Sequence, residues 1–270
     1  MLIRFLIALA LLLTGGCQCF DTKKNLVYNT GDPAWTFDYY EPTGPLDGGD
    51  QRPAIIAIHG GAWSSGDKSW GEQVAEEFCC KGYVVFSVNY RLAPAHVWPA
   101  QINDCQDALI YFRSTASTWG INPDKIGALG VSAGGHLAAM LALRGPARVQ
   151  AAVCANGEGD LTLYGAEPIM ANEDNILTDV LGPGFGLPEL TDLSPVTFAL
   201  GGNPVWVVHS TGDDNVFFAQ GQHLHNALVG AGVDTGFSVV QDSCHGKCWK
   251  DAAPLQAARA FFAKHLGGRQ

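Results

Sequence analysis

Lys125-Ile126-Gly127-Ala128-Leu129-Gly130-Val131-Ser132-Ala133-Gly134-Gly135-His136-Leu137-Ala138-Ala139-Met140 reads as a buried strand, a sharp turn and a helix in direct succession. Lys125 to Leu129 is a short apolar run suited to a strand, and His136 to Leu143 has the composition of a helix. The turn between them carries the Gly-x-Ser-x-Gly pattern, Gly130 to Gly134. Glycines at its flanking positions remove side chains that would collide across a strand-to-helix turn, so the Ser132 hydroxyl stands at the edge of a sheet. In a chain with 33 Gly the pentapeptide alone would mean little. Its place between strand and helix makes Ser132 a candidate nucleophile.

Upstream, Ile55-Ile56-Ala57-Ile58 ends in His59-Gly60-Gly61-Ala62-Trp63. The bare backbone N–H groups of Gly60 and Gly61 can come close to an oxygen on which negative charge develops. A serine also needs a base, and the base an orienting acid, which on this architecture follow in the order acid, then histidine. The apolar strand Val205 to Val208 leads into His209-Ser210-Thr211-Gly212-Asp213-Asp214-Asn215-Val216, which places a carboxylate beyond the carboxyl end of a strand. Asp213 and Asp214 compete for the role, and the spacing from Gly212 and Val216 favours Asp213. Thr235 to Val240 ends in Gln241-Asp242-Ser243-Cys244-His245-Gly246, which makes His245 the candidate base. His59, His96, His136, His209, His223, His225 and His265 lack this combination of position and chain order and read as structural.

From about Asp50 to Phe262 the chain resembles an α/β-hydrolase of the carboxylesterase group, and most nearly the bifunctional feruloyl and acetyl-xylan esterases. The resemblance rests on His59 to Trp63 with Gly66-Asp67-Lys68, on Val88 to Pro94, and on Trp98-Pro99-Ala100-Gln101 with Asp104. It continues through Gly120 to Ile126, Gly130 to His136, Ser194-Pro195-Val196, Asp213 to Val216 and His245-Gly246. It implies a triad of Ser132, Asp213 and His245, an oxyanion hole from the N–H groups of Gly60, Gly61 and Ala133, an acyl-enzyme intermediate, and no metal or organic cofactor. The chain departs from the family's usual pattern at Phe217, where proline is common, and at the cysteines flanking His245. Both changes bear on the substrate pockets. The motifs also resemble kynurenine formamidases and isoprenylcysteine methylesterases, so formamide and methyl ester substrates stand beside acetyl and feruloyl esters of carbohydrate. A non-catalytic hydrolase-like surface binding protein is the reading from a different class. Trp63, next to the oxyanion segment, is a candidate substrate contact, with Trp70 and Trp98 in nearby segments.

The six apolar segments Ile55 to Ile58, Val84 to Val88, Lys125 to Leu129, Val149 to Cys154, Val205 to Val208 and Thr235 to Val240 alternate with helical patterns, which predicts an α/β fold with a mainly parallel sheet. Gly157 to Gly202 is irregular. Pro183, Gly184, Gly186 and Pro188 forbid one continuous helix there, and the stretch reads as a cap-like excursion over the site. The expected organisation is a signal peptide over 1–16, a lead-in with edge strands over 17–49, and a catalytic domain over 50–270.

The opening Met1-Leu2-Ile3-Arg4 carries one positive charge and is followed by the apolar run Phe5 to Leu13, then by Thr14-Gly15-Gly16-Cys17. That run is too short for a spanning helix, which needs about 20 residues, and reads as a signal-peptide core. Small residues directly before Cys17 resemble a bacterial lipobox, with Cys17 as the lipid-attachment site, and plain secretion or an uncleaved anchor are the alternatives. The expectation is an exported protein, a periplasmic or outer-surface lipoprotein or a secreted enzyme, with membrane contact only through the signal peptide or a lipid anchor. With 26 acidic against 16 basic residues and a formal charge of −10, the chain has no basic surface for nucleic acid. Neutral carbohydrate or small-molecule esters suit it better as partners. Among the eight cysteines, Cys79, Cys80, Cys105 and Cys154 read as small apolar packing. Cys244 and Cys248 could instead close a disulfide around His245.

Overall fold

The computed structural model describes residues 19–44 and 51–269. The signal segment and Cys17 lie outside the described residues. Eight strands form one sheet: β1 (Phe20–Val27), β2 (Thr36–Pro42), β3 (Arg52–Ile58), β4 (Val84–Val88), β5 (Ile121–Val131), β6 (Ala151–Ala155), β7 (Val205–Ser210) and β8 (Thr235–Val240). Their order across the sheet is β1-β2-β4-β3-β5-β6-β7-β8. β1 and β2 run antiparallel at one edge, and every pairing from β4 to β8 is parallel. The lead-in is thus continuous with the sheet, and its start is held by a disulfide between Cys19 and Cys80. That bond corrects the reading of Cys80 as apolar packing, whereas Cys79, Cys105 and Cys154 are free and buried.

The helices are α1 (Glu72–Phe78), α2 (Ala100–Ser114), α3 (Ala116–Trp119), α4 (Ala133–Leu143), α5 (Glu173–Leu181), α6 (Leu187–Leu193), α7 (Phe218–Gly230) and α8 (Ala252–Leu266). A parallel sheet must be covered on both faces, and β3 shows how its sequence meets that demand. Ala54, Ile56 and Ile58 pack in a core with residues of α2, α4 and α7, while Ile55 and Ala57 join a second core with residues of α1 and α8. Successive side chains alternate faces, and both faces are apolar. All of β4 and β6 is buried for the same reason.

The carboxyl ends of the parallel strands carry the segments that concern function. His59 follows β3, Ser132 follows β5, Asn156 follows β6, Thr211 follows β7 and Gln241 follows β8. The excursion between β6 and β7 holds α5 and α6, separated at Gly182–Gly186 where glycine and proline interrupt the helical pattern. It is stitched to the segment after β7: Met170 bridges Val216, the Ala171 N–H donates to the Asn215 carbonyl at 2.8 Å, and the Phe217 N–H donates to that of Ile169 at 3.1 Å.

Candidate active site

Ser132 occupies the turn between β5 and α4 with φ 56° and ψ −132°. A non-glycine residue with such backbone angles is strained, and the surrounding structure must impose them. The Ser132 N–H donates to the Ala155 carbonyl at 2.9 Å, and its own carbonyl accepts from the His136 N–H at 3.0 Å. Gly134 sits where a Cβ would run into the backbone of Ile58 and His59, so the start of α4 can press against the end of β3 only because that position has no side chain.

The segment after β3 lies alongside. A Cβ on Gly60 would stand 2.8 Å from the Val131 carbonyl oxygen and 3.1 Å from Ser132 Cβ, a closeness that only glycine allows. Gly61, Ala62 and Trp63 follow with φ of 120°, 50° and 56°. The turn is clamped from beneath: the His59 ring stacks on Tyr90 with centroids 4.4 Å apart, and the Tyr90 hydroxyl donates to the His59 carbonyl at 3.0 Å. Burial lowers the His59 pKa and keeps the ring neutral. Arg91, next to Tyr90, grips the fully buried Asp104 of α2 through Nε and Nη2 at 2.6 to 3.0 Å.

The structure joins His245 to Asp213 and leaves Asp214 exposed. His245 Nδ1 lies 3.0 Å and 2.9 Å from the two Asp213 carboxylate oxygens. Asp213 Oδ1 also accepts from the backbone N–H groups of Asn215 at 3.0 Å and Val216 at 3.1 Å, and Oδ2 accepts from Asn156 Nδ2 at 2.7 Å. Burial would raise the Asp213 pKa, but the His245 hydrogen bond, the His245 charge and these N–H donors outweigh it and hold the carboxyl below its usual value. For His245, burial works against protonation, while the Asp213 hydrogen bond and the charges of Asp213, Glu158 and Asp214 overcome it and raise the pKa above the usual histidine value. Since an ionised carboxylate only accepts, Nδ1 carries the hydrogen and Nε2 is left as the basic nitrogen.

Ser132, His245, Gly60 and Gly61 line one cavity of about 600 Å³. Ala133 is buried at the first position of α4, where its N–H is one of the donors a helix start leaves unpaired. Ser132 Oγ and the His245 ring share this cavity without a hydrogen bond between them, a contact that tightens in catalytic pairs when substrate binds. The loop carrying His245 is held by the Cys244–Cys248 disulfide, with Cα atoms 6.1 Å apart, and by the Ser210 hydroxyl donating to the Cys244 carbonyl. The same bridge leaves neither thiol as a metal ligand, and no group of side chains suited to a metal ion occurs among the described residues.

Trp63 requires a correction as a substrate contact. Its side chain is fully buried, its Nε1 donates to His136 Nδ1 at 3.3 Å, and it lies outside the cavity wall. An indole next to an oxyanion turn reads from sequence as a platform, but the positive φ at Ala62 and Trp63 turns it into the core against α4. His136 Nε2 completes that contact by donating to the Leu193 carbonyl at 2.6 Å, and burial pushes the ring's pKa down to about 4. Trp98 is spent on Asp192, to which its Nε1 donates at 2.8 Å. Trp70 is the tryptophan that lines the cavity.

Two residues went unnoticed in the sequence. Asn156 supplies a hydrogen bond to Asp213, and Glu158 contributes a nearly inaccessible carboxyl to the cavity wall. Their signal, in hindsight, is a pair of polar residues directly beyond the carboxyl end of a wholly apolar strand.

The BD-FAE family model matches residues 38–228. Esterase LipC of Mycobacterium tuberculosis is 35% identical over 126 residues, which cover 45% of this chain and 30% of that protein. The chain therefore matches less than a third of the length of this curated relative. Among solved structures, a truncated carbohydrate esterase from gut microbiota superposes with a TM-score of 0.80 at 23% identity, covering 93% of this chain and 98% of the other. The acetyl ester-xyloside bifunctional hydrolase of Caldicellulosiruptor lactoaceticus gives 0.73 at 22% identity, covering 85% and 87%. At these identities the two likenesses concern the fold, which is that of the α/β-hydrolases.

Proposed function

The chain belongs to the BD-FAE family, and on that premise we propose that it is a serine carboxylesterase acting on acetyl or feruloyl esters of carbohydrate. The observation that carries the reading is the Asp213–His245 pair at 2.9 Å, opening with strained Ser132 onto one cavity. In this reading His245 Nε2 removes the Ser132 proton as Oγ attacks the ester carbonyl, and Asp213 stabilises the imidazolium that forms. The N–H groups of Gly60, Gly61 and Ala133 receive the oxyanion, where each donor contributes about 10²–10³ in rate. His245 then protonates the departing alcohol, and water attacks the acyl-enzyme along the reverse path.

The carbohydrate side of the reading draws on what the two solved structures are called, and on the wide cavity, which Trp70 could share with a sugar or aryl group. The Cys19–Cys80 and Cys244–Cys248 bridges support an exported setting, because disulfides persist in oxidising compartments. They weigh against the formamidase and methylesterase readings, which fit an intracellular enzyme better. The test is hydrolysis of p-nitrophenyl acetate, acetylated xylan and methyl ferulate beside Ser132→Ala. Serine-dependent release from xylan or ferulate supports the proposal. Turnover of the small acetate alone reduces it to a general carboxylesterase, and turnover of none of the three overturns it.

A further inference from the structure

Glu158 stands three residues beyond β6, in the wall of the cavity that Ser132 and His245 share. It is 2% exposed, and its Oε2 is enclosed without a hydrogen-bond partner. The same wall holds apolar Val131, Met170 and Val216 beside the polar Asp67, Asn215 and Lys247. A buried carboxyl oxygen without a partner is a cost to the fold that an apolar side chain of similar size would not carry. Apart from the charge it places near His245, Glu158 serves neither the Asp213–His245 pair nor the oxyanion turn: Asp213 is held by its own donors, and the Gly60 region is clamped by His59 and Tyr90.

We propose that Glu158 is a specificity-determining residue whose carboxyl takes a hydrogen bond from a hydroxyl on the substrate, so that the cavity selects hydroxyl-bearing esters over their deoxy counterparts. The inference rests on the serine-esterase reading and adds the substrate feature that reading leaves open. A buried polar group in a cavity wall fixes the orientation of a ligand, and a substrate hydroxyl brought against the Glu158 carboxyl would give it the partner it lacks. Selectivity of this kind is steep, because an analogue lacking the hydroxyl leaves the carboxyl unpaired a second time. Burial, with the Asp213 charge adding to it, pushes the Glu158 pKa up to about 7, against the pull of its own backbone N–H and of His245. Near neutrality the group is therefore available as carboxylate or as carboxylic acid, and a hydroxyl can pair with either.

The experiment measures kcat/KM by pH-stat for two matched pairs in which a hydroxyl replaces a methyl. Phenyl glycolate against phenyl propionate places the hydroxyl on the acyl side, and 2-hydroxyethyl acetate against propyl acetate places it on the alcohol side. The wild-type protein is expected to favour the hydroxyl-bearing member of at least one pair by about tenfold or more, which also tells the two sides apart. Glu158→Met should bring that ratio close to one, and Glu158→Gln, which keeps the shape and hydrogen-bonding capacity, should retain part of it. If Glu158 acted only through the charge it places near His245, both members of a pair would change by the same factor, and an unchanged ratio in Glu158→Gln and Glu158→Met overturns the inference. So does equal wild-type turnover in both pairs. Ser132→Ala run on the same substrates separates this failure from that of the esterase reading: turnover that survives the serine's removal strikes the reading itself, while serine-dependent turnover without discrimination strikes only Glu158.

Discussion

Asn156 is the residue through which β6 reaches the acid on β7. Its backbone N–H donates to the Val208 carbonyl at 2.8 Å, its φ of 49° turns the chain out of the strand, and its Nδ2 meets Asp213 Oδ2 at 2.7 Å. A hydrogen bond to a charged group contributes about 1.5–3 kcal/mol. Asn156→Ala should lower kcat by about tenfold with little change in KM, since the acid keeps its other donors but loses orientation. Its carboxylate also becomes a stronger base, so the acid limb of the pH–rate profile should move to higher pH. A change confined to KM would contradict this. Glu158 makes a separate prediction for stability. Burial raises its pKa from 4.5 to about 7, so between those values the folded protein holds a proton that the unfolded chain has released. Stability must therefore fall as pH rises across that window, by up to about 3 kcal/mol. The raised pKa of His245 adds a loss that begins above 6.5, and without the Glu158 charge that helps raise it this loss is smaller as well. Urea melts at pH 5 and pH 7.5 should show a smaller decline for Glu158→Gln than for the wild type, and equal declines would refute the assignment. The sequence marks Asn156 and Glu158 only as polar residues beyond an apolar strand. Asp213 and His245, on which they act, are brought to them by the strand order.

At the level of elements, β4 was legible because a strand buried on both faces has no room for polar residues, and β7 and the half-buried edge strand β8 also stand where their apolar runs predict them. The antiparallel start was less legible. β1, FDTKKNLV, is an edge strand of mostly exposed polar residues with only Phe20 buried, and the disulfide that ties Cys19 beside it to Cys80 is announced by no local spacing. The two bridges should differ in what they contribute. Cys19–Cys80 closes a separation of 61 residues and Cys244–Cys248 one of 4, which in a chain-entropy model corresponds to about 4 and about 2 kcal/mol. The second, however, spans His245, which shares the cavity with Ser132. Cys80→Ser should lower the midpoint of denaturation more than Cys248→Ser, and Cys248→Ser should lower kcat more, through a looser His245 loop. Thermal melts and kinetics on both variants check the pair of expectations, and the reverse ranking in either measurement would remove the distinction.

Across the whole molecule, one topological rule assembles the site: β3, β5, β6, β7 and β8 are parallel, so the residues that follow them gather at one edge of the sheet. Sequence order could place Ser132, Asp213 and His245 beyond strand ends, but the orientation of Trp63 and the burial of Glu158 depend on packing among all the layers at once. The chain's charge acts at this scale as well. A net charge of −10 surrounds a cavity whose own wall includes Asp67 and Glu158 against the single lysine Lys247. Its field should repel anionic esters at low ionic strength and leave neutral ones unaffected. Between about 10 mM and 300 mM salt the screening length falls from about 30 Å to well under 10 Å, so kcat/KM for a hemisuccinate ester should rise several-fold while that for p-nitrophenyl acetate stays level. A fall for the anionic ester would instead mean that Lys247, at the rim beside Gly246, outweighs the global field and attracts negative substrates. The acidic balance would then describe solubility alone, and the preference for neutral carbohydrate esters would have to come from the cavity's contacts.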